Sequence, residues 1–178
     1  MIIYILIGIL VLFILFSLRP SIVTGHWQQY FGKAQLSSQE IFSAIEAKIK
    51  EHQANDVRFS RTKGFEFGAF SAQREYLEIE GRNYIFHVGA APYGVDFFVS
   101  IWQRQKQDNI FRAGLVRLLP FLNRRTYYSV DTEVMFRSCV HNSVLEVLDD
   151  LSAEKGIRKL SELDRQWQQD PKLMFKVS

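Results

Sequence analysis

The sequence predicts an α+β fold, in which an N-terminal transmembrane helix precedes one antiparallel sheet of about five or six strands packed by two amphipathic helices. Three observations predict it. An uncharged apolar run opens the chain, two later stretches repeat apolar residues at helical spacing, and the region between them is rich in β-branched and aromatic residues. The 178 residues, 47% of them hydrophobic, are enough for one packed domain.

The apolar run covers residues 2–18 and ends before Arg19 and Pro20. A helix of this length would be about 25 Å long, close to the thickness of a bilayer core. A cleaved signal peptide is the alternative, but no basic region precedes the run and no small-residue cleavage site follows it. The predicted anchor residues are Ile2, Ile3, Tyr4, Ile5, Leu6, Ile7, Ile9, Leu10, Val11, Leu12, Phe13, Ile14, Leu15, Phe16 and Leu18.

The charges around this run predict its orientation. Arg19 and Lys33 follow the run and no Lys or Arg precedes it, so the positive-inside rule places the C-terminal domain in the cytoplasm. We expect a single-pass protein of the bacterial inner membrane, because no organelle signal is present. A net charge of +3 suits an anionic surface, and the single cysteine, Cys139, fits a reducing compartment.

The chain divides into four predicted parts: an anchor (1–19), a juxtamembrane segment (20–36), a soluble α+β domain (37–169) and a tail (170–178). In the juxtamembrane segment, Trp27 and Tyr30 are predicted to lie in the headgroup layer, which favours amphipathic aromatic rings. The alternative is that they begin the soluble core.

The first amphipathic helix is predicted over residues 38–53. Ser37 and Glu40 have the spacing of a capping box, in which each side chain satisfies a free amide at the helix start. The apolar positions that follow recur at helical spacing and form one face: Ile41, Phe42, Ile45 and Ile49.

Five strands are predicted next, over 57–62, 65–70, 75–80, 83–89 and 96–104, with a turn over 90–94. A two-residue type II′ turn at Gly81 and Arg82 would connect the third and fourth strands. That turn predicts the cross-strand pairs Ile79–Tyr84, Leu77–Phe86, Tyr76–His87 and Glu75–Val88.

After a short strand over 127–130, the second helix is predicted between an N-cap at Asp131 and a C-terminal glycine at Gly156. Leu160, Leu163 and Trp167 suggest one more short helix. The apolar stripe of the second helix is Phe136, Val140, Val144, Val147, Leu148 and Leu151.

The segment 109–125 combines an apolar face with an arginine rim, a pattern typical of an interfacial helix. The alternative is a connection that covers the open edge of the sheet. The predicted membrane-interface residues here are Phe111, Arg112, Leu115, Arg117, Leu118, Leu122, Arg124 and Arg125.

No catalytic, metal-binding or phosphate-binding motif stands out, so we predict no cofactor and no metal. The predicted function is a membrane-anchored, non-enzymatic interaction module, with the lipid bilayer and an unidentified protein as partners and nucleic acid disfavoured. The alternative is a membrane-bound enzyme or small-ligand sensor that uses Tyr76, His87 and His141. The latter would require these three side chains to converge in one site.

Overall fold

The computed structural model describes residues 8, 21–32, 36–52, 56–65, 73–106, 126–167 and 176–177. Within these residues, an antiparallel sheet carries two long helices. The elements in chain order are β1 (Ser21–Phe31), α1 (Ser38–Glu51), β2 (Arg58–Phe65), β3 (Gln73–Glu80), β4 (Tyr84–Tyr93), β5 (Asp96–Gln105), α2 (Tyr127–Lys155) and β6 (Lys176–Val177).

The sheet has the strand order β2-β3-β4-β5-β1-β6, and every neighbouring pair is antiparallel. Strands β2 to β5 form a meander, whereas β1 reaches the far side of β5 and pairs at its start with the two-residue β6. The prediction of an antiparallel sheet with two helices is therefore confirmed.

Both helices pack on one face of this sheet. The four apolar residues predicted for α1 are all buried, and α2 adds a buried stripe that includes Val140, Val144 and Leu148. Burial of alternate residues along each strand supplies the other half of the core. The sheet residues in this core include Trp27, Leu77, Ile79, Phe86, Val88, Phe97, Val99 and Ile101.

The predicted single-pass transmembrane helix is the part of the fold class that must be corrected. No helix in the described part of the chain is long and apolar enough to cross a membrane. The reason is visible in α1 and α2, which carry charged residues on the faces turned away from the core. The predicted anchor residues, Ile2 to Leu18, lie outside the described residues apart from the intervening Gly8.

The first strand, β1, is an element that the sequence analysis does not predict. Ser21–Phe31 falls in the segment assigned to the juxtamembrane region, yet it pairs with β5 from Val23 to Phe31. Trp27 lies in the core with 1% of its surface exposed. The sheet of this protein therefore starts before α1.

The predicted register between β3 and β4 is wrong by two residues. Ile79 pairs with Phe86 and Leu77 with Val88, and the Gly81 amide donates to the Tyr84 carbonyl. Gly81 does not have a positive φ, so the predicted type II′ turn is absent. Because a shift of two residues preserves the sheet faces, the assignment of inward and outward side chains is unchanged.

Helix α2 begins one turn earlier than predicted. Tyr127 to Val130 are helical rather than extended, and Asp131 lies inside the helix rather than at its N-cap. The end agrees with the prediction: Gly156 has φ +66°, and the Ile157 amide donates to the Ser152 carbonyl over 2.8 Å. This is the hydrogen bond of a Schellman motif, which needs a residue in the left-handed region.

Two other predicted elements differ. Strand β4 continues through Tyr93, and the turn falls at Gly94, with φ +66°. Residues 160–167 form turns instead of the predicted short helix. The predicted strand over 65–70 lies mostly outside the described residues.

Candidate functional site

A cleft of about 320 Å³ opens beside the middle of α2. Its lining residues are Arg137, Ser138, His141 and Trp167. The first three come from two successive turns of α2, since Arg137 and Ser138 lie four and three residues before His141 and share its helix face. Trp167 closes the opposite side from the segment that follows the helix.

The segment that carries Trp167, residues 160–167, is held by hydrogen bonds to both the sheet and helix α2. The Trp27 indole N–H donates to the Asp164 carbonyl over 2.7 Å, which ties the segment to β1. The Arg165 guanidinium donates to both Asp149 carboxylate oxygens, at 2.9 and 2.7 Å, which ties it to α2. Trp167 follows Asp164 by three residues and Arg165 by two, so these two contacts position it.

The Trp167 indole lies directly over Gly25 of β1. A Cβ atom at Gly25 would lie 2.6 Å from Trp167 Nε1 and 3.1 Å from two of its ring carbons. Only glycine fits beneath the ring without displacing it. On its other sides the indole contacts the rings of His141, at 5.3 Å between centroids, and Phe86, at 6.4 Å.

Unpartnered polar atoms gather around this indole. Among the described residues, the buried side-chain atoms without a hydrogen-bond partner include three in this region: Gln103 Oε1, His141 Nε2 and Trp167 Nε1. Gln103 is the cross-strand partner of Gly25, so it belongs to the same region, and it is only 1% exposed. A buried polar group without a partner costs about 1–3 kcal/mol, so these atoms lower the stability of the region beneath the cleft.

A second polar contact lies one turn earlier on α2. The Tyr84 hydroxyl donates to Glu133 Oε2, and Gln103 Nε2 donates to Glu133 Oε1 over 3.3 Å. The Glu133 carboxylate thus satisfies two groups of the sheet. It also fixes the Gln103 amide with its free oxygen on the side away from Glu133.

The two ionisable residues of the cleft differ in charge at neutral pH. Burial, and then the positive charge of Arg137, lowers the pKa of His141 to about 4, so the imidazole is neutral at pH 7. Arg137 stays charged, and no carboxylate of the described residues forms an ion pair with it. The cleft therefore contains one cation, several N–H and O–H donors and one neutral imidazole.

The nearby thiol of Cys139 does not line the cleft, and burial raises its pKa, which disfavours the reactive thiolate. The described residues contain no cluster of three or more side chains that could hold a metal ion.

The three residues of the predicted enzyme or sensor site do not converge. His141 packs on the helix-covered face of the sheet, where its ring is 5.7 Å from that of Trp27. His87 and Tyr76 lie on the opposite, outer face. Because strand neighbours alternate between faces, the sheet itself separates the two histidines.

On the outer face, His87 belongs to a row of side chains that crosses five strands. Register places Ser60, Glu78, His87, Trp102 and His26 side by side. Arg104 Nη1 lies 3.2 Å from His87 Nε2, and burial together with Arg104 lowers the pKa of His87. His26 stacks on Trp102, at 5.1 Å between ring centroids. Tyr76 lies opposite Gly89 rather than His87, as the shifted register requires.

The structure also places the predicted membrane-interface residues that it describes. Trp27 is in the core, as described above, and leaves no indole surface for lipid. Tyr30 is 57% exposed and lies against Phe98, with 4.8 Å between ring centroids. The predicted interfacial residues from Phe111 to Arg125 lie outside the described residues.

Sequence reasoning missed Gln103, Arg137, Ser138 and Trp167 as members of one site. A signal for Gln103 was present: the inward positions of β5 are Phe97, Val99, Ile101 and then Gln103, so one polar residue ends an apolar alternation. The sequence gives no such signal for Trp167, because the position of this residue depends on the hydrogen bonds that hold the segment 160–167.

No known protein family matches this chain, and no curated protein matches it. One similar solved structure is the crystal structure of TTHA0849 from Thermus thermophilus, at 14% sequence identity and a TM-score of 0.23. The match covers 68% of this chain and 97% of that one. At this TM-score the similarity supports no conclusion about fold or function.

Proposed function

We propose that this protein is a non-enzymatic, small-molecule-binding domain whose ligand lies in the cleft between α2 and the segment 160–167. The observation that carries the proposal is the cleft of about 320 Å³ lined by Arg137, a half-buried residue that forms no ion pair with a carboxylate of the described residues. A ligand with polar atoms complementary to Arg137 and Ser138 would use donors that the protein leaves available.

The size of the cleft supports the same function. Small-molecule sites typically have volumes of about 300–1,000 Å³ and combine apolar walls with a few polar groups. This cleft, at about 320 Å³, has the Trp167 ring as an apolar wall and Arg137, Ser138 and His141 as polar groups.

The predicted role as a protein-interaction module stays a prediction. Tyr127 and Tyr128, at the start of α2, are exposed, and they are the described positions at which a partner protein should be sought first.

The proposal is tested by a fragment screen that follows the indole N–H signals of Trp27, Trp102 and Trp167 by NMR. Trp102 is an internal reference, because it lies on the outer face of the sheet. We expect fragments that bind at up to millimolar concentration to shift the Trp167 signal and to leave the Trp102 signal unchanged.

A blocking variant sharpens this test. Ser138→Trp fills the mouth of the cleft from an exposed position, so the fold should tolerate it. Ala153→Trp is the matched control, since it adds the same side chain at an exposed position about 22 Å further along α2. Binding lost in the first variant and kept in the second supports the site. A screen in which no fragment shifts the Trp167 signal would refute the proposal.

A further inference from the structure

We propose that the ligand of this cleft is a small monocarboxylate with an apolar body, and that Arg137 binds its carboxylate. The inference rests on the proposed function and adds the chemical class of the ligand. It starts from the charge of the cleft, in which Arg137 is the only cationic side chain among the lining residues at neutral pH.

The state of Arg137 favours an anion. The residue is half-buried, and no carboxylate of the described residues forms an ion pair with it, so its guanidinium has N–H donors available toward the cleft. A guanidinium presents two parallel N–H groups that match the two oxygens of a carboxylate. The Ser138 hydroxyl is a further donor at the mouth of the cleft.

The remaining groups favour a carboxylate over a phosphate. Glu133 lies one turn before Arg137 on α2, and its carboxylate would repel a dianion more strongly than a monoanion. The lining contains one cation, and none of its lining residues is a glycine that could expose backbone amides to a phosphate. One guanidinium and a few neutral donors are sufficient for a single negative charge.

The apolar body of the ligand is inferred from Trp167. Its indole forms the wall opposite Arg137 and packs against Phe86 and Gly25. A flat or aliphatic group would stack on this ring while its carboxylate reaches Arg137. The neutral His141 ring lines the same space and would contact the ligand.

The experiment compares two probes that share a skeleton, 2-naphthoate and 2-naphthylmethanol, by NMR titration of the Trp167 indole signal. We expect the carboxylate to bind at least about tenfold more tightly than the alcohol, because a hydrogen bond between two charged groups is stronger than one to a neutral hydroxyl. In Arg137→Gln the affinity for the carboxylate should fall by roughly 10- to 100-fold, to that of the alcohol. Arg58→Gln, on the edge strand β2, makes the same change in net charge and should not alter either affinity.

A second readout separates ligand contact from a structural role of Arg137. A bound carboxylate near His141 favours the imidazolium, so the pKa of His141, followed by its ring signals, should rise when 2-naphthoate is bound. The alcohol should not change it.

Each contrary result has a distinct meaning. Equal binding of both probes at the Trp167 signal would overturn the carboxylate assignment while leaving the small-molecule function in place. Tighter binding of inorganic phosphate than of acetate would also overturn it. If neither naphthyl probe shifts the Trp167 signal, the ligand class is wrong, and the fragment screen decides separately whether the cleft binds small molecules.

Discussion

At the residue scale, the site depends on a few side chains whose neighbours fix their chemistry. Gly25 makes room for the Trp167 ring, Gln103 presents a carbonyl oxygen without a partner, and Arg137 helps to keep His141 neutral. None of these roles follows from residue type alone. Each depends on which side chain lies against it.

Substitution of Gly25 by alanine should displace Trp167. The new Cβ would lie 2.6 Å from Trp167 Nε1, and β1 is held in place by its pairing with β5 from Val23 to Phe31. We expect a red shift in tryptophan emission and a loss of about 1–3 kcal/mol in the free energy of unfolding. Gly32→Ala is the control, since the nearest heavy atom, Asp96 Oδ1, is 3.7 Å away. Unchanged emission in Gly25→Ala would contradict the packing described here.

His141 should make stability dependent on pH. Its pKa is about 4 in the folded protein against an ordinary value of 6.5, so between these values the unfolded chain binds more protons. The contribution of His141 is therefore complete above pH 6.5 and is lost as the pH falls to 4, by up to roughly 3 kcal/mol. Urea unfolding of the wild type and of His141→Gln at pH 7 and pH 4.5 measures this difference. The wild type should lose more stability on acidification than the variant; equal losses would show that His141 titrates normally.

At the element scale, α2 has two parts that differ in their packing contacts. From Val140 onward its inward residues are buried in the core, and Glu146 reaches Lys48 and His52 of α1 at 3.4 and 3.5 Å. The first turns expose Tyr127 and Met135 instead. There the contacts with the sheet are made by Phe136, which lies 5.3 Å from Phe86 between ring centroids, and by Glu133.

Removal of the Glu133 carboxylate should therefore loosen the start of α2 selectively. In Glu133→Ala, the Tyr84 hydroxyl and the Gln103 amide lose a common acceptor, which should cost about 1–3 kcal/mol. We expect faster hydrogen exchange over 127–139 than in the wild type and little change over 140–155. Glu154→Ala, at an exposed position near the end of the helix, is the control. A uniform increase along α2 would mean that the helix responds as one unit.

The elements also show what sequence patterns could and could not predict. The four apolar positions of α1 and the alternation in β3 specify which faces are buried, because both patterns are local. The start of α2 was misassigned because Tyr127, Tyr128 and Val130 have high strand propensity, which tertiary context overrides. The predicted β3–β4 register is wrong because the two turn residues are Arg82 and Asn83, and Gly81 instead pairs with Tyr84. Gly81 also packs against the Phe136 ring, a contact between residues 55 positions apart that no local pattern indicates.

At the scale of the whole molecule, the sheet separates two polar regions, one on each of its faces. The sequence-based prediction places His87 and His141 in one hypothetical site because of their residue type, whereas the fold places them on opposite faces. The cleft itself needs β1, β5, α2 and the segment 160–167 together. Its lining residues Arg137 and Trp167, and the residues Gly25 and Gln103 beneath them, come from four distant parts of the chain, so no local motif could reveal them.

The placement of β1 has a consequence for the synthesis of this protein. In the finished sheet, Val23 pairs with Arg104 and Phe31 with Phe97, so 81 and 66 positions separate the partners. A ribosome makes roughly 5–20 residues per second, so several seconds or more pass between the synthesis of β1 and the synthesis of β5. During that time its hydrogen-bonding edges and Trp27 have no native neighbours. Among the described strands, β1 therefore waits longest in the nascent chain for its native neighbours, and chaperone binding would protect it during that interval.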